Sequence, residues 1–258
     1  MNYELGIRDG EDNIKLSFVV PAFNEEKYIS GCLRSIYNLK NLPPFEVIVA
    51  DNNSTDRTRE VVAREFFEVK IIAETKKGPA AARNAGARLA RGKLIAFLDS
   101  DCRVPEGWLS VVMQEFDKSP KLALLQGPYR YFEAKSWFQK FVYYCSNVLF
   151  ISFAELVFRK FLRIGGPAFG GDAICRKSDF EKIGGFNDNF EFYGEDIDFA
   201  KRMMKAGKVK FEPKAWVYSS QRRFNAEGNW KMWWIYSVNT VSSVLFGKVV
   251  YKKHRIIR

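Results

Sequence analysis

Leu94-Ile95-Ala96-Phe97-Leu98-Asp99-Ser100-Asp101 is an apolar run that ends directly on two carboxylates one residue apart. A short unbroken apolar run bounded by polar residues reads as a strand buried on both faces, and such strands belong to parallel sheets covered by helices. The flanking sequence repeats the pattern. Upstream, Leu16–Val20, Phe45–Ala50 and Val69–Ala73 are further apolar runs, with Pro21 expected to end the first. Between them lie stretches with helical spacing: Glu25–Leu39, where Ile29, Leu33 and Ile36 share a face, Asp56–Phe67, and the alanine-rich Pro79–Ala90. Downstream, Glu106–Phe116 places Trp108, Leu109, Val112, Met113 and Phe116 on or near one face. Strands alternating with helices predict an α/β fold with a mostly parallel central sheet and helices on both faces. Ligands of such sheets bind beyond the carboxyl ends of the strands, which selects the loops Pro21–Glu26, Asp51–Asp56 and Asp99–Arg103.

The pattern changes after Tyr129. Residues 131–164 are rich in aromatic and branched residues, with basic residues gathered near the ends, and glycine pairs at 165–166 and 170–171 then break the chain. Ser178-x-x-Glu181 has the form of a capping box, Gly184-Gly185 closes that short helix, and Glu195–Ala206 reads as another helix stopped at Gly207.

Composition narrows the class. With 258 residues and 47% hydrophobic content the chain can bury a large core. Of the net +11, residues 201–258 hold 14 Lys and Arg against Glu212 and Glu227 alone, a local +12. A basic quarter of this kind suits an anionic partner, whether phosphate, lipid headgroup or nucleic acid. The cysteines, Cys32, Cys102, Cys145 and Cys175, form no C-x-x-C pair, so free thiols in a reducing compartment are expected. The polar start of the chain lacks the form of a signal peptide, and no apolar run reaches the roughly 18 residues of a spanning helix.

Asp99 and Asp101, at the end of a buried strand, offer oxygen ligands of the sort that hold Mg²⁺ or Mn²⁺ beside a diphosphate. A turn with two solvated aspartates has the same local sequence. The motifs around them decide the matter. Ser17–Glu26 (SFVVPAFNEE), Glu46–Asp56 (EVIVADNNSTD), Gly78–Gly86 (GPAAARNAG), Phe97–Asp101 (FLDSD) and Gly194-Glu195-Asp196 occur in that order. Together they resemble the strand, loop and helix motifs of family 2 glycosyltransferases of the GT-A fold. The resemblance implies that Pro21, Ala22, Asn24, Glu25, Asp51, Arg83, Asp99 and Ser100 line a nucleotide pocket. It further implies that Asp101, with Asp99, binds the metal.

Some of these residues also carry a reading of their own. Asp51 can accept a hydrogen bond from a base N–H or a ribose hydroxyl, or can close an Asx-turn. Arg83 stands near a helix N-terminus, where a guanidinium and backbone N–H groups favour an anion or a base carbonyl. Inverting transfer needs a carboxylate to deprotonate the acceptor hydroxyl. On their own both Asp196 and Glu195 suit a helix first turn; the resemblance implies Asp196 in the role of base with Glu195 beside it. Arg222 and Arg223 are candidate diphosphate clamps.

Two departures qualify the resemblance. Many relatives place a metal-binding histidine toward the C-terminus, whereas the only histidine here is His254. The Q-x-x-R-W pattern of processive synthases is absent, since Gln221-Arg222-Arg223-Phe224 stands in its place, so single-sugar transfer is expected. The rival readings are a metal-dependent nucleotidyltransferase, which would want a glycine-rich basic loop after the first strand, and a basic nucleic-acid-binding module, which would leave the acidic residues unused. The domain plan is a glycosyltransferase unit over 1–224 (15–130 for the nucleotide sugar, 131–164 an aromatic insertion, 165–224 for the acceptor) and a basic aromatic tail over 225–258. Aromatic residues with flanking cations in Trp137–Leu162 and Trp230–Tyr251 point to a protein peripheral on the cytoplasmic face of the cell membrane, acting on a lipid-linked or polysaccharide-precursor acceptor.

Overall fold

The computed structural model describes residues 13–132, 153, 156–157, 170–190 and 193–251. The chain runs β1 (Leu16–Ala22), α1 (Ile29–Tyr37), β2 (Phe45–Asp51), α2 (Thr58–Glu65), β3 (Lys70–Ala73), α3 (Pro79–Leu89), β4 (Leu94–Leu98), β5 (Cys102–Arg103), α4 (Trp108–Lys118), β6 (Leu122–Gln126) and β7 (Tyr129–Tyr131). After the aromatic segment come β8 (Asp172–Arg176), α5 (Lys177–Lys182), α6 (Glu195–Ala206), β9 (Lys208–Phe211), β10 (Val217–Ser219), α7 (Arg222–Glu227) and α8 (Asn229–Phe246).

Seven strands form the central sheet in the order β3-β2-β1-β4-β8-β6-β9. All are parallel except β8, which is antiparallel to both β4 and β6. Side chains alternate across each strand, and this sorts the core into two layers. Leu16, Phe18 and Val20 of β1 pack with α1, α2 and α4, through Ile29, Leu33, Val62, Trp108 and Val112. Val19 and Phe97 face the other way, against α3, α5 and α6, through Ala80, Phe180, Phe199 and Met203. Phe97 sits among three rings there, 5.1 Å from Phe186 and edge-on to it.

The chain turns one way from β1 to β2 and the other way to β4, so a crevice opens past their carboxyl ends, where such sheets bind ligands. A second, three-stranded sheet, β5-β10-β7, closes one side of it. It brings the residues after Ser219 over the Asp99–Asp101 turn, because Ser219 pairs with Cys102.

Two local expectations are corrected. Pro21 does not end β1, which continues to Ala22 and keeps pairing with β2. The Ala22 carbonyl accepts the Asn52 N–H (2.8 Å), so Pro21, the next residue along the alternation, faces β4 instead. Pairing on that side stops at Val19, so the missing N–H costs no ladder bond. The Ser178 capping box does not form either. β8 leads straight into α5, the extended Arg176 is the cap residue, and no side chain caps the helix. Ser178 falls inside the first turn because the Arg176 guanidinium holds the strand end in place, donating to the Leu122 and Phe116 carbonyls at 2.9 and 3.2 Å.

Candidate active site

The site is assembled from the ends of strands and the starts of helices. Asn24, in the left-handed region at φ 55°, sews the β1 loop to the β2 loop. Its Oδ1 accepts from Thr55 N (2.7 Å) and its N–H donates to Ser54 Oγ (2.9 Å). Asp51, at the end of β2, is buried. Its Oδ2 accepts from Ser54 N at 3.3 Å, an Asx-turn contact. Its Oδ1 has no partner among the described residues. A buried, unsatisfied carboxylate oxygen is costly, and here it marks a place for a ligand donor. Pro21 and Ala22 lie buried in β1 beneath these loops, and Ser100 is buried in the turn after β4.

Arg83 is the centre of the site. It is buried in α3, donates to Asp99 Oδ1 at 2.8 Å and lies 3.4 Å from Glu195 Oε1. One guanidinium thus links the carboxylate at the end of β4 to the acidic start of α6. Burial opposes its charge, but Asp99 and Glu195 outweigh that and hold it more firmly protonated than usual. The close approach depends on Gly170 and Gly171. A Cβ on Gly171 would fall 2.1 Å from Asp99 Oδ2 and 2.7 Å from the Tyr129 hydroxyl, and one on Gly170 would meet the Arg83 guanidinium at 2.9 Å.

Arg222, at the start of α7, makes a bidentate pair with Glu25 at 2.7 and 2.6 Å and lies 3.2 Å from Asp101 Oδ2. Its guanidinium also sits over the Tyr28 ring, 4.7 Å from the centroid. Arg223 turns away and donates to the Tyr193 hydroxyl. The two arginines expected together are therefore separated: one on Glu25 and Asp101, the other on the wall in front of α6.

Glu195 is buried, and burial, then the neighbouring Asp196, pushes its carboxyl well above the usual range. Asp196 is partly exposed and is raised less, burial being again the first cause, with Arg83 opposing. A carboxylate with a raised pKa beside a cleft is suited to taking and releasing a proton near neutrality. Beneath the carboxylates, burial first and then Asp101 push the thiols of Cys32 and Cys102 up.

Glu25, Asp99, Asp101, Glu195 and Asp196 stand around two guanidiniums, those of Arg83 and Arg222. The excess of carboxylates suits a cation. Among the described residues no group of three or more His, Cys, Asp or Glu forms a cage. A hard divalent ion held by one or two carboxylates takes its other ligands from phosphate and water. Asp99 and Asp101 fit that manner of binding.

Sequence reasoning did not find Tyr129, Gly171 or Tyr28. Tyr129 accepts the Gly171 N–H (3.0 Å) and closes the wall beside Asp99. The glycine doublet directly before an apolar strand was the available signal.

A mostly parallel sheet with helices on both faces and its acidic residues at the strand ends is the framework of the GT-A glycosyltransferases. The model of glycosyl transferase family 2 matches residues 17–184, and the chain belongs to that family. A second model, described as the N-terminal domain of galactosyltransferase, matches residues 161–221. A probable glycosyltransferase of Bacillus subtilis is 27% identical over 255 residues, 91% of this chain and 57% of that protein. The GalNAc(5)-diNAcBac-PP-undecaprenol beta-1,3-glucosyltransferase of Campylobacter jejuni is 35% identical over 106 residues, 39% of this chain and 34% of that protein. This chain thus spans between a third and somewhat over half of these relatives' length. Among solved structures, a mannosyltransferase from Pyrobaculum calidifontis in complex with GDP-Man and Mn²⁺ superposes with a TM-score of 0.65 at 20% identity, covering 92% of this chain and 66% of that one.

Proposed function

We propose that this glycosyltransferase moves a single sugar, with inversion, from a nucleoside-diphosphate donor to a hydroxyl of a lipid-linked or polysaccharide-precursor acceptor. The observation that carries this reading is the Arg83 bridge: Asp99 at 2.8 Å on the donor side and Glu195 at 3.4 Å on the acceptor side share one buried guanidinium. Two sets of carboxylates with different roles therefore meet at one point.

The base and ribose are assigned to the pocket of Pro21, Ala22, Asn24, Glu25, Asp51, Arg83, Asp99 and Ser100. The unpartnered Asp51 Oδ1 accepts from the base or ribose, while Asn24 acts by holding the two loops together. Asp196 takes the proton of the acceptor hydroxyl as its oxygen attacks the anomeric carbon. The bond from that carbon to the diphosphate oxygen breaks, and the nucleoside diphosphate leaves with the electron pair. Glu195 keeps Asp196 and Arg83 in register. Arg222 is assigned to the diphosphate, by exchanging Asp101 for phosphate oxygens, whereas Arg223, held at the Tyr193 hydroxyl, belongs to the acceptor wall. A Mn²⁺ or Mg²⁺ ion at Asp101 and Asp99, when bound, neutralises charge on the leaving diphosphate; Mn²⁺ accompanies GDP-Man in the Pyrobaculum neighbour. The undecaprenol-linked substrate in the name of the Campylobacter relative supports an acceptor of that class. The buried free thiols of Cys32, Cys102 and Cys175 suit the cytoplasmic side of the membrane. We keep the division into a glycosyltransferase unit over 1–224 and a tail over 225–258. The family match favours glycosyl transfer over nucleotidyl transfer.

The test is thermal unfolding with a panel of nucleotide sugars, with and without Mn²⁺. A true donor at about 100 times its Kd adds about 2.7 kcal/mol of stability. The expected result is one donor that stabilises, with a Mn²⁺-dependent increment that Asp101→Ala removes. Stabilisation by no nucleotide sugar, or an increment intact in Asp101→Ala, rejects the reading.

A further inference from the structure

Helix α8 is built inside out. Its buried face carries Met232, Asn239, Ser243 and Val244, and the side chain of Asn239 works there as a polar staple. Asn239 Oδ1 accepts from Val250 N and Tyr251 N at 3.1 and 2.9 Å, and its Nδ2 donates to Tyr251 O at 3.0 Å. The opposite face is apolar. Trp230, Trp234, Val241 and Leu245 follow one another at spacings of four, seven and four, which places them on one side of a helix. Trp230 is 85% exposed, Trp234 57% and Leu245 47%, with Trp233 at 42% flanking the stripe and Phe246 at 71% ending the helix. An exposed apolar stripe of this length marks a docking surface.

Charge selects the occupant. The stripe belongs to the part of the chain, 201–258, that carries the local +12, and Lys248 is followed in sequence by Lys252, Lys253 and Arg255. A second copy carries the same excess of positive charge, whereas an anionic surface gains from it. Tryptophan, with an apolar body and an N–H donor, suits the headgroup region. Among the described residues no helix is long and apolar enough to cross a membrane, and polar Asn239 and Ser243 point inward, so the helix lies along a surface. We propose that the outer face of α8 docks on an anionic lipid bilayer.

The docking face is fixed to the acceptor wall. Tyr236 of α8 packs edge-on against Tyr193 at 5.9 Å, two residues before Glu195. Lys201 of α6 donates to the Val244 carbonyl at 3.1 Å. A bilayer held by α8 would therefore lie about one helix diameter, roughly 10 Å, from the wall that carries Glu195 and Asp196. This consequence, and only this one, rests on the reading of those residues as the acceptor side.

The experiment is co-sedimentation of the full chain with phosphatidylcholine vesicles, with and without phosphatidylserine. It compares wild type, W230S/W234S and K248Q/K252Q/K253Q. The tryptophan pair is exposed and its one hydrogen bond, Trp234 Nε1 to the Tyr251 hydroxyl at 3.2 Å, lies at the surface; unchanged thermal unfolding with and without a nucleotide sugar checks that the fold survives its loss. Wild type is expected to sediment with anionic vesicles. W230S/W234S should bind at least about tenfold more weakly. The lysine variant should lose about fivefold per charge removed, on anionic vesicles only. Absence of wild-type sedimentation, or equal sedimentation of wild type and W230S/W234S, overturns the proposal. A concentration-dependent dimer abolished by W230S/W234S also overturns it and assigns the face to a second copy. Vesicle binding needs no donor, so failure of every nucleotide sugar to stabilise the protein would reject the transferase assignment and leave this result standing.

Discussion

Asp196 and Glu195 share a helix start and the same neighbours, yet differ in exposure, and their proposed roles rest on that difference. Glu195 is buried against Arg83, while Asp196 is partly exposed. Asp196→Asn keeps size and shape but cannot hold the proton. Its kcat should fall by about 10²-fold or more with donor affinity unchanged, as measured by steady-state kinetics and nucleotide titration. Because burial raises the pKa of both carboxyls, and the base must be ionised to act, activity should rise with pH through a limb above the ordinary carboxylate range. Asp172 gives a second, separate case. It is fully buried, pairs with Leu98 across the β4–β8 ladder, accepts from Trp108 Nε1 at 3.2 Å, and burial pushes its carboxyl well above the usual range. A folded-state pKa raised above the unfolded value favours the protonated fold. That contribution is complete below about pH 4, the unfolded pKa, and is lost as pH climbs to the folded value. Asp172→Asn, neutral throughout, should therefore be more stable than wild type by a margin that widens from about pH 4 upward. Thermal unfolding across pH reads it, and parallel curves for the two proteins would refute it.

At the scale of elements, most of the central sheet was legible from the sequence, because β1, β2, β4 and the helices between them are regular amphipathic or buried runs whose period survives folding. The small sheet was not. β5, β7 and β10 have two or three residues each, too short to show a period. Their pairing joins Cys102 to Ser219 across more than a hundred residues, which no local pattern announces. Gly127 marks how tightly that layer is set. A Cβ there would fall 1.5 Å from the Ala215 carbonyl oxygen and 2.5 Å from Asp172 Oδ2, and the Ala215 backbone, two residues before β10, cannot yield without moving the turn that leads into that strand. Gly127→Ala should cost more than about 4 kcal/mol or abolish folding. Gly107→Ala, at a position with nothing within 4 Å of the added atom, should change stability by no more than about 0.5 kcal/mol. Denaturant unfolding of the pair separates close packing from a general intolerance of substituted glycine.

Across the whole molecule, the two ends of the described chain meet at the Glu25–Arg222 pair, residues 197 apart in sequence and joined by two short hydrogen bonds. The sequence supplied both residues as site candidates but could not pair them, since charge type alone does not say which carboxylate an arginine will face. The pair ties the loop after β1 to the segment that leads into α8, and it does so inside the crevice. Glu25 is 3% exposed, so removing the Arg222 guanidinium would strip a buried carboxylate of two charge-assisted hydrogen bonds, at a cost of about 3–5 kcal/mol. Arg222→Met should therefore lower the unfolding temperature by on the order of 10 °C for a chain of this size. Neutralising the stranded carboxylate as well, in Glu25→Gln/Arg222→Met, should recover most of that loss, because a neutral pair of similar volume carries no desolvated charge. Transfer should not recover with it. If Arg222 moves from Asp101 to the diphosphate during the reaction, the double variant will be stable and inactive, with weakened nucleoside-diphosphate binding. If the pair is only a structural tie, stability and kcat/KM will return together. Unfolding curves and kinetics on the same three proteins decide between the two.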